Sequence, residues 1–517
     1  MDLPLKLELN SGFRRALELL ETTDKNVFIT GKAGTGKSTL LEYFRQNTQK
    51  RVVILAPTGV AAINVKGETI HSFFGFKPTT TINKVRKIGK GNPRFASAIV
   101  YKETDIIIID EISMVRADLL DLADKFLRLN GPDRKKPFGG IQMVFIGDLY
   151  QLPPVVTSKE KEIFKDKYET SYFFSSFAFK GLEMEYLELE KIYRQKDESF
   201  INILNAIRGN NIEDRHIQEL NSRYDPMFEA KEDYHITLTS TNKAAEEINE
   251  KRLGKLTYKE FVSAALIDGN VEAKSFPTQS ELKLKTGAQV MMLNNDKKKR
   301  WVNGTLAKVA SISDDCITIE LEDGSEEDVN PHTWELFHFS YDTVKGRMTS
   351  EVVGTFTQFP MKLAWAVTIH KSQGLTFDRV VIDVGKGTFA HGQYYVALSR
   401  CRTLNGITLK VPAKRQHILM DWKVREFVTK YQYQRSEELM CLEDKLKILK
   451  NAVKNKRQVE ILYLKAKDER SRRTILPYFI GEMEYKDKTF TGVKALCDLR
   501  NQDRVFNAAR ILEIIEL

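Results

Sequence analysis

The segment GKAGTGKST, Gly31 to Thr39, constrains the fold of this chain more than any other. It follows an apolar run that predicts a buried strand and precedes a helical pattern, which is the context of a phosphate-binding loop. Glycines let backbone amides wrap around phosphates, and the helix N-terminus adds a partial positive charge. Lys37 is expected to reach the β and γ phosphates, and Ser38 to bind Mg²⁺. The predicted nucleotide-binding residues of the loop are Gly31, Ala33, Gly34, Thr35, Gly36, Lys37, Ser38 and Thr39.

Short apolar runs bounded by turn residues recur along the chain, as in parallel sheets that are covered by helices on both faces. One set is Val27–Thr30, Val52–Ala56, Ile106–Ile109 and Met143–Ile146, and a second is His235–Ser240, Val380–Val384 and Ile407–Val411. We predict an α/β fold class with two tandem domains, 1–185 and 186–412. The other predicted parts are a basic arm at about 75–97, a β insertion at about 303–359, a helical linker at 413–445 and a small β-rich module at 446–517.

The overall composition favours a multidomain globular protein. The chain has 517 residues, 42% of them apolar and 29% charged, and a net charge of +10. This charge permits a polyanionic partner such as nucleic acid, although charge alone is a weak indication. The four cysteines are scattered without zinc or redox spacing. There is no secretory pattern and no apolar run of membrane-spanning length, so we expect a cytoplasmic protein with no membrane partner.

The segment IIIIDEIS places two carboxylates at the end of a predicted strand. Asp110 is expected to hold Mg²⁺ through water, and Glu111 to orient and deprotonate an attacking water. Together with the phosphate loop, this pair predicts a nucleoside triphosphatase that uses ATP and Mg²⁺. Arg194 and Arg400 each follow an apolar or aromatic run, and we predict that they act as arginine fingers, although an ordinary surface role would be favoured for either one in isolation.

A series of motifs carries a resemblance to a known family: GKAGTGKST, APTGVAA, GETIHSFF, IIIIDEIS, GDLYQLPPV, LEKIYRQ, TLTSTNKAAEEIN, AWAVTIHKSQGLTF and YYVALSR. In this order they resemble superfamily-one helicases of group B, over about residues 10–412. The segment from about Asp121 through KKPFGGIQMVFIGDLYQLPPV is similar to the one that marks the petite-integration-frequency (PIF) DNA helicases. The resemblance implies RecA-like P-loop domains, a wedge arm (1B), an SH3-like β insertion (2B) and 5′→3′ translocation on single-stranded DNA.

The same resemblance implies roles for further residues. Gln151 is expected to contact the γ-phosphate or the catalytic water, and Asp148 to anchor its loop. Gln373 and Gly374 are expected to link the DNA grip to the nucleotide, and Tyr193 to stack on the base, since no glutamine precedes the phosphate loop. About one of Phe73, Phe74 and Phe76 should stack on a DNA base. The expected DNA-binding residues are Pro57, Thr58, Gly59, Thr69, His71, Ser72, Phe73, Leu152, Pro153, Thr239, Asn242, His370, Lys371 and Ser372.

The last part of the chain, about Leu446–Ile511, resembles a WYL domain, a small β-barrel that presents basic and aromatic residues to a ligand, often nucleic acid. Arg500, Arg504, Phe506 and Arg510 fit this pattern, and a dimerisation or packing module is the alternative. The expected partners are single-stranded DNA and single-strand–duplex junctions, with G-quadruplexes or RNA–DNA hybrids as further substrates, for a monomer or a DNA-induced dimer. Two alternatives stay open: a DNA-stimulated ATPase that remodels protein–DNA complexes, and a ligand-regulated nucleic-acid-binding ATPase.

Overall fold

A computed structural model describes the chain over residues 10–77, 80–90, 96–156, 164, 167–195, 197–229, 234–269, 276–342, 347–385, 387–464, 470–485, 488–498 and 502–517. These residues form two compact units. One comprises the chain up to Leu204 together with Glu213–Leu419, and the other comprises Asn205–Ile212 and Met420–Leu517. Among the described residues, no helix combines the length and apolar character needed to cross a membrane.

The first α/β domain is built on a parallel sheet of six strands in the order β3-β2-β4-β5-β1-β6. Its central strands are buried along their whole length, since helices cover both faces. Helices α1 and α2 contribute Phe13, Leu40 and Phe44 to the core. The elements are α1 (Ser11–Thr22), β1 (Asn26–Gly31), α2 (Lys37–Asn47), β2 (Val52–Ala56), α3 (Gly59–Asn64), β3 (Glu68–Thr69), α4 (Ile70–Phe74), α5 (Val100–Glu103), β4 (Ile106–Ile109), α6 (Ala117–Asn130), β5 (Gln142–Ile146), α7 (Phe177–Lys180) and β6 (Met184–Leu189).

A β-rich insertion follows α8 (Glu198–Arg208), α9 (Asp214–Asn221), β7 (Ile236–Thr239) and α10 (Asn242–Lys255). It contains an antiparallel sheet in the order β14-β13-β12-β11-β17, a three-stranded sheet β15-β16-β9 and the pair β10-β8. The insertion is therefore wider than the predicted 303–359. Its strands are β8 (Phe261–Ala264), β9 (Leu266–Gly269), β10 (Glu281–Leu284), β11 (Gln289–Met292), β12 (Leu306–Ile312), β13 (Ile317–Leu321), β14 (Glu326–Val329), β15 (His332–Asp342), β16 (Arg347–Gln358) and β17 (Met361–Leu363).

A second parallel sheet completes the first unit. The strands β18 (Ala366–Thr368), β19 (Val380–Asp383) and β20 (Ile407–Leu409) join β7 in the order β18-β7-β19-β20, and α11 (Gln393–Leu398) precedes β20. The predicted boundary at 185/186 lies inside β6, which pairs with β1 over its full length. We therefore propose that the first domain extends to Leu189.

The second unit holds two helices and an antiparallel sheet in the order β24-β23-β22-β21-β25. Leu449 and Ala452 of its second helix pack with Ile461, Ile475 and Phe506 of the sheet. The predicted linker end at 445 lies inside that helix, so we propose that the module begins earlier. The elements are α12 (Trp422–Leu439), α13 (Leu442–Asn455), β21 (Val459–Leu464), β22 (Arg470–Tyr485), β23 (Lys488–Cys497), β24 (Gln502–Asn507) and β25 (Ile511–Glu516).

Candidate nucleotide site and nucleic-acid interface

The phosphate loop joins the end of β1 to the start of α2. Gly34 and Gly36 have φ values of 80° and 84°, in the left-handed region that favours glycine. A Cβ atom at Gly34 would also lie 2.5 Å from the Cβ atom of Arg194. The Lys37 ammonium donates to the carbonyls of Gly31 at 2.7 Å and Lys32 at 3.1 Å. The loop therefore has the tight backbone path that leaves amide groups available to a phosphate.

Asp110 and Glu111 follow β4 at the carboxyl edge of the sheet, where α/β proteins bind ligands. Burial raises the pKa of Asp110 above its usual range. Burial, then the neighbouring Asp110 carboxylate, raise the pKa of Glu111 to about 7, and the Lys37 ammonium opposes this rise. The Ser38 hydroxyl and the Asp110 carboxylate are oxygen donors of the type that Mg²⁺ prefers, and their role as its ligands stays a prediction. The described residues contain no group of three or more His, Cys, Asp or Glu side chains that could hold a metal on their own.

A series of side-chain hydrogen bonds crosses the cleft between the two α/β domains. The Gln373 amide, from the loop after β18, donates to Glu111 Oε2 at 3.0 Å and to Gln151 Oε1 at 3.1 Å. Gln151 in turn donates to Asp148 Oδ2 at 3.3 Å. The predicted catalytic carboxylate and the predicted γ-phosphate contact are thus held by one residue of the opposite domain.

The loop after β5 packs against the residues at the start of α11. His391 Nε2 donates to the Leu149 carbonyl at 2.9 Å. Gly392 has a φ of 70°, and a Cβ atom there would lie 2.4 Å from the carbonyl oxygens of both Tyr150 and Gln151. The two domains therefore meet at a point where no side chain fits.

The Leu152 side chain, which is expected to contact DNA, is fully buried in this structure, as is that of Leu149. Its contact with DNA stays a prediction. Pro153 is half-buried, and its contact with DNA stays a prediction.

The two predicted arginine fingers both bond to backbone carbonyls of the second α/β domain. Arg194 donates to Ser399 O at 3.3 Å and to Gly374 O at 3.2 Å. Arg400 is 1% exposed and donates to the carbonyls of Val396 at 2.9 Å and Leu375 at 3.1 Å. Burial, then Arg194, lower the pKa of Arg400, while Tyr395, Glu111 and Asp148 oppose this shift.

Tyr395 and Asn10, which had no predicted role, also form hydrogen bonds at the nucleotide site. The Ala33 amide of the phosphate loop donates to the Tyr395 hydroxyl at 3.1 Å. The Asn10 amide donates to the Tyr193 hydroxyl at 2.8 Å, while the Tyr193 amide donates to Gly34 O at 2.9 Å. Tyr193 stays 41% exposed, which suits its predicted stacking on a base. Tyr395 lies inside the YYVALSR motif, and its place in that motif is the one sequence feature that could have identified it as a nucleotide-site residue.

The candidate nucleic-acid contacts are at the carboxyl ends of β2, β3, β7 and β18. Thr58 and Thr69 cap the helices α3 and α4, where their hydroxyls accept from the Ala61 and Ser72 amides at 3.2 Å. The other members of this set that are exposed or half-buried are Pro57, Gly59, His71, Ser72, Asn242, His370 and Lys371. Because these strand ends lie along the carboxyl edges of the two sheets, the set can follow one strand of nucleic acid.

Three other expected DNA contacts are buried. Phe73 is fully buried and packs edge-on against Tyr101 with ring centroids 5.2 Å apart. Phe74 and Phe76 are also buried, so none of the three rings is open to solvent in this structure, and stacking of one of them on a base stays a prediction. Thr239 and Ser372 donate their hydroxyls to backbone carbonyls at 3.0 and 2.8 Å, and they shape their loops without facing solvent.

Phe389 is an exposed aromatic residue that the sequence motifs did not identify. Its ring is 64% exposed and stacks on His370, with centroids 6.1 Å apart and planes 14° from parallel. Its amide donates to Gln393 Oε1 at 3.0 Å, and the preceding Thr388 hydroxyl donates to His417 O at 2.6 Å. The ring is therefore held beside the exposed Lys371 in an orientation that a base can stack on.

The basic arm and the β15–β16 hairpin flank the first-domain contacts. Lys84, Arg86, Lys87 and Lys90 are exposed, and Arg94 lies outside the described residues. The buried Ile88 anchors this arm, and its amide donates to Asn130 Oδ1 at 2.8 Å. From the hairpin, the Phe339 amide donates to the buried Glu68 carboxylate at 3.2 Å, which also accepts from Ser72 at 2.6 Å.

Comparison with known proteins identifies the family. A family model described as PIF1-like helicase matches residues 8–218, a Pif1 2B domain model matches 269–312 and a WYL domain model matches 444–515. The ATP-dependent DNA helicase Pif1 of Bdellovibrio bacteriovorus is 32% identical over 438 residues, which cover 83% of this chain and 93% of that protein. This chain belongs to the PIF1 helicase family. The human ATP-dependent DNA helicase PIF1 is 33% identical over 74% of this chain and 58% of its own length.

Solved PIF1 structures confirm the predicted fold class. Bacteroides Pif1 in complex with ADP-AlF4 has a TM-score of 0.76 and 36% identity, and the match covers 83% of this chain and 98% of that one. Candida albicans Pif1 has a TM-score of 0.62 and 30% identity over 83% of this chain. The two parallel sheets are therefore tandem RecA-like domains of a PIF1 helicase, with a 2B domain inserted in the second and a WYL domain at the C-terminal end.

Proposed function

We propose that the protein is an ATP-driven DNA helicase that translocates 5′→3′ on single-stranded DNA and unwinds duplex or structured DNA. Bacteroides Pif1, to which it is 36% identical, has been solved bound to single-stranded DNA, and a Pif1 structure of the same identity describes DNA unwinding at forked duplex DNA. The observation that carries the proposal is the double hydrogen bond of Gln373 to Glu111 and Gln151. These two bonds join Glu111, the proposed general base, to the loop that carries Lys371.

The proposed hydrolysis assigns a role to each side chain of the nucleotide site. Lys37 would bind the terminal phosphates, while Ser38 and Asp110 would hold Mg²⁺, which would supply neutralisation of phosphate charge. Glu111 accepts a proton from the attacking water, and a pKa of about 7 suits a general base that works near neutral pH. Arg194 and Arg400 add positive charge at the cleft as the phosphate bond breaks.

Movement on DNA follows from the same contacts. Loss of the γ-phosphate changes what Gln151 and the arginines can bind, and Gln373 passes this change to the loop of residues 369–375. That loop carries the half-buried His370 and the exposed Lys371, which we propose bind the DNA backbone. One domain can thus change its grip on the DNA backbone while the other holds, which converts turnover into net displacement.

Tailed duplexes test the proposal. Unwinding of a duplex with a 5′ single-stranded tail, and not of one with a 3′ tail, is expected with the wild-type protein and ATP. Lys37→Ala is the matched control, since it removes the phosphate-binding ammonium and should abolish hydrolysis while leaving much of the DNA affinity. Unwinding of only the 3′-tailed duplex would refute the direction, and DNA-stimulated hydrolysis without unwinding would favour a remodelling ATPase.

A further inference from the structure

Two consecutive buried tyrosines on α11 differ in the hydrogen bonding of their hydroxyl groups. Tyr394 and Tyr395 are both buried, with 2% and 4% of their surfaces exposed. The Tyr395 hydroxyl accepts the Ala33 amide of the phosphate loop at 3.1 Å. The Tyr394 hydroxyl makes no hydrogen bond within the part of the chain that the structure describes. Only the second tyrosine therefore connects the second RecA-like domain to the nucleotide loop by a hydrogen bond.

Helix α11 contacts the other side of the cleft at both of its ends as well. Gly392, at its start, packs on the carbonyls of Tyr150 and Gln151. At its end, the Ser399 carbonyl accepts from Arg194 at 3.3 Å and from Gln195 at 3.2 Å. Tyr395 lies between these two attachments. A movement of α11 relative to the first domain would therefore also break or form the hydrogen bond to the phosphate loop.

We propose that Tyr395 is a positioning residue for ATP turnover, which holds the phosphate loop against the second domain when the cleft is closed. This inference rests on the proposed function. A hydrogen bond that forms only in the closed arrangement favours that arrangement by its own free energy. The first domain carries Lys37 and the rest of the phosphate loop, so loss of the bond lowers turnover without weakening the binding of ADP.

The pair Tyr395→Phe and Tyr394→Phe tests this role, because each substitution removes one oxygen atom from the same helix. The rate of single-stranded-DNA-stimulated ATP hydrolysis, the affinity for ADP and the melting temperature are measured for both. A typical neutral hydrogen bond predicts a roughly three- to tenfold lower kcat for Tyr395→Phe, with KM and ADP affinity within about twofold of wild type. Tyr394→Phe should keep the wild-type kcat, with an equal or higher melting temperature, because the hydroxyl that it removes is buried and unpaired.

The possible outcomes separate the inference from the proposed function. Wild-type kcat in Tyr395→Phe, or equal losses in both variants, would overturn the role of Tyr395, and so would a loss of ADP affinity that accompanies the loss of kcat. A wild-type protein that hydrolyses ATP without any response to DNA would instead refute the proposed function. ADP affinity also shows that the first domain of each variant is folded.

Discussion

Gln373 of the second RecA-like domain donates its side-chain amide to the Glu111 carboxylate of the first domain across 3.0 Å. Glu111 itself adopts a left-handed backbone conformation with a φ of 50°, an arrangement that costs energy in a residue with a side chain. The Gln373 amide therefore fixes the orientation of the Glu111 carboxylate, and the unusual backbone conformation of Glu111 also helps to set the direction of that side chain. Lys371, a predicted DNA contact, lies two residues before Gln373, so one short loop carries this lysine and the amide that donates to Glu111.

Gln373→Ala should lower the DNA-stimulated kcat by about tenfold, because Glu111 loses the donor that orients it. The affinity for single-stranded DNA without nucleotide should stay within about twofold, as measured by fluorescence anisotropy. Gln434→Ala, on the exposed side of α12, is the matched control and should leave both quantities unchanged. A wild-type kcat in Gln373→Ala would contradict the positioning of Glu111 by this amide.

Gln151→Ala should uncouple hydrolysis from movement, because it removes the link between Gln373 and Asp148. We expect ATP turnover to fall less than the unwinding rate, so that more ATP is consumed for each base pair opened. Parallel measurements of phosphate release and strand separation give this ratio. A ratio equal to that of wild type would show that Gln151 acts only in hydrolysis.

Arg194→Ala should lower the DNA-stimulated kcat by roughly 10³-fold or more, while DNA affinity changes little. Arg402→Ala is the control, since that arginine is exposed and pairs with Asp378. Arg400→Ala should lower kcat and also the melting temperature, because it removes a buried guanidinium that donates to the carbonyls of Leu375 and Val396. Full DNA-stimulated turnover in Arg400→Ala would refute its role as a finger.

Phe389→Ala should weaken single-stranded DNA binding by about tenfold, the loss expected when one base loses its aromatic partner. Phe177→Ala is a close control, because that ring is 66% exposed and lies in α7, away from the motif residues. Equilibrium titration with a fluorescent oligonucleotide measures the difference. Equal affinities for the two variants would exclude stacking on Phe389.

A chain that ends at Leu419 should bind single-stranded DNA more weakly if the WYL domain grips nucleic acid. This end point lies between the two compact units, whereas an end at Gln434 would cut α12. We expect at least a fivefold loss of affinity, with kcat at saturating DNA close to that of the full chain. Unchanged affinity would favour the packing alternative for the module.

The elements of the nucleotide site could be predicted from sequence because their signals are local. A strand buried on both faces is a short apolar run, and Gly34, Gly36 and Lys37 are neighbours in the chain. The predicted Mg²⁺ ligands and fingers still await a direct test. The proposed extension of the first domain to Leu189 could not be read from the sequence, because β6 pairs with β1, more than 150 residues before it, and this pairing leaves no mark on the local pattern.

Exposure was the property that the sequence predicted least well. Phe73 is buried because Tyr101 and Phe339 cover it, and these partners come from distant parts of the chain. Phe389 stacks on His370, yet the residue is 64% exposed, so the described part of the chain leaves most of it open to solvent. Both are phenylalanines near motif residues, and only the folded chain separates a core ring from one that can meet a base.

The contact at Gly392 sets a limit on how far the cleft can close. A single hydrogen atom separates the backbone of α11 from the carbonyls of Tyr150 and Gln151, so even a methyl group would act as a spacer between the two halves. Gly392→Ala would therefore prevent full closure of the cleft between the two RecA-like domains, without altering any side chain that is proposed to contact nucleotide or DNA. Such a variant would give a stalled form of the protein in which the open stage of the cycle can be studied by itself.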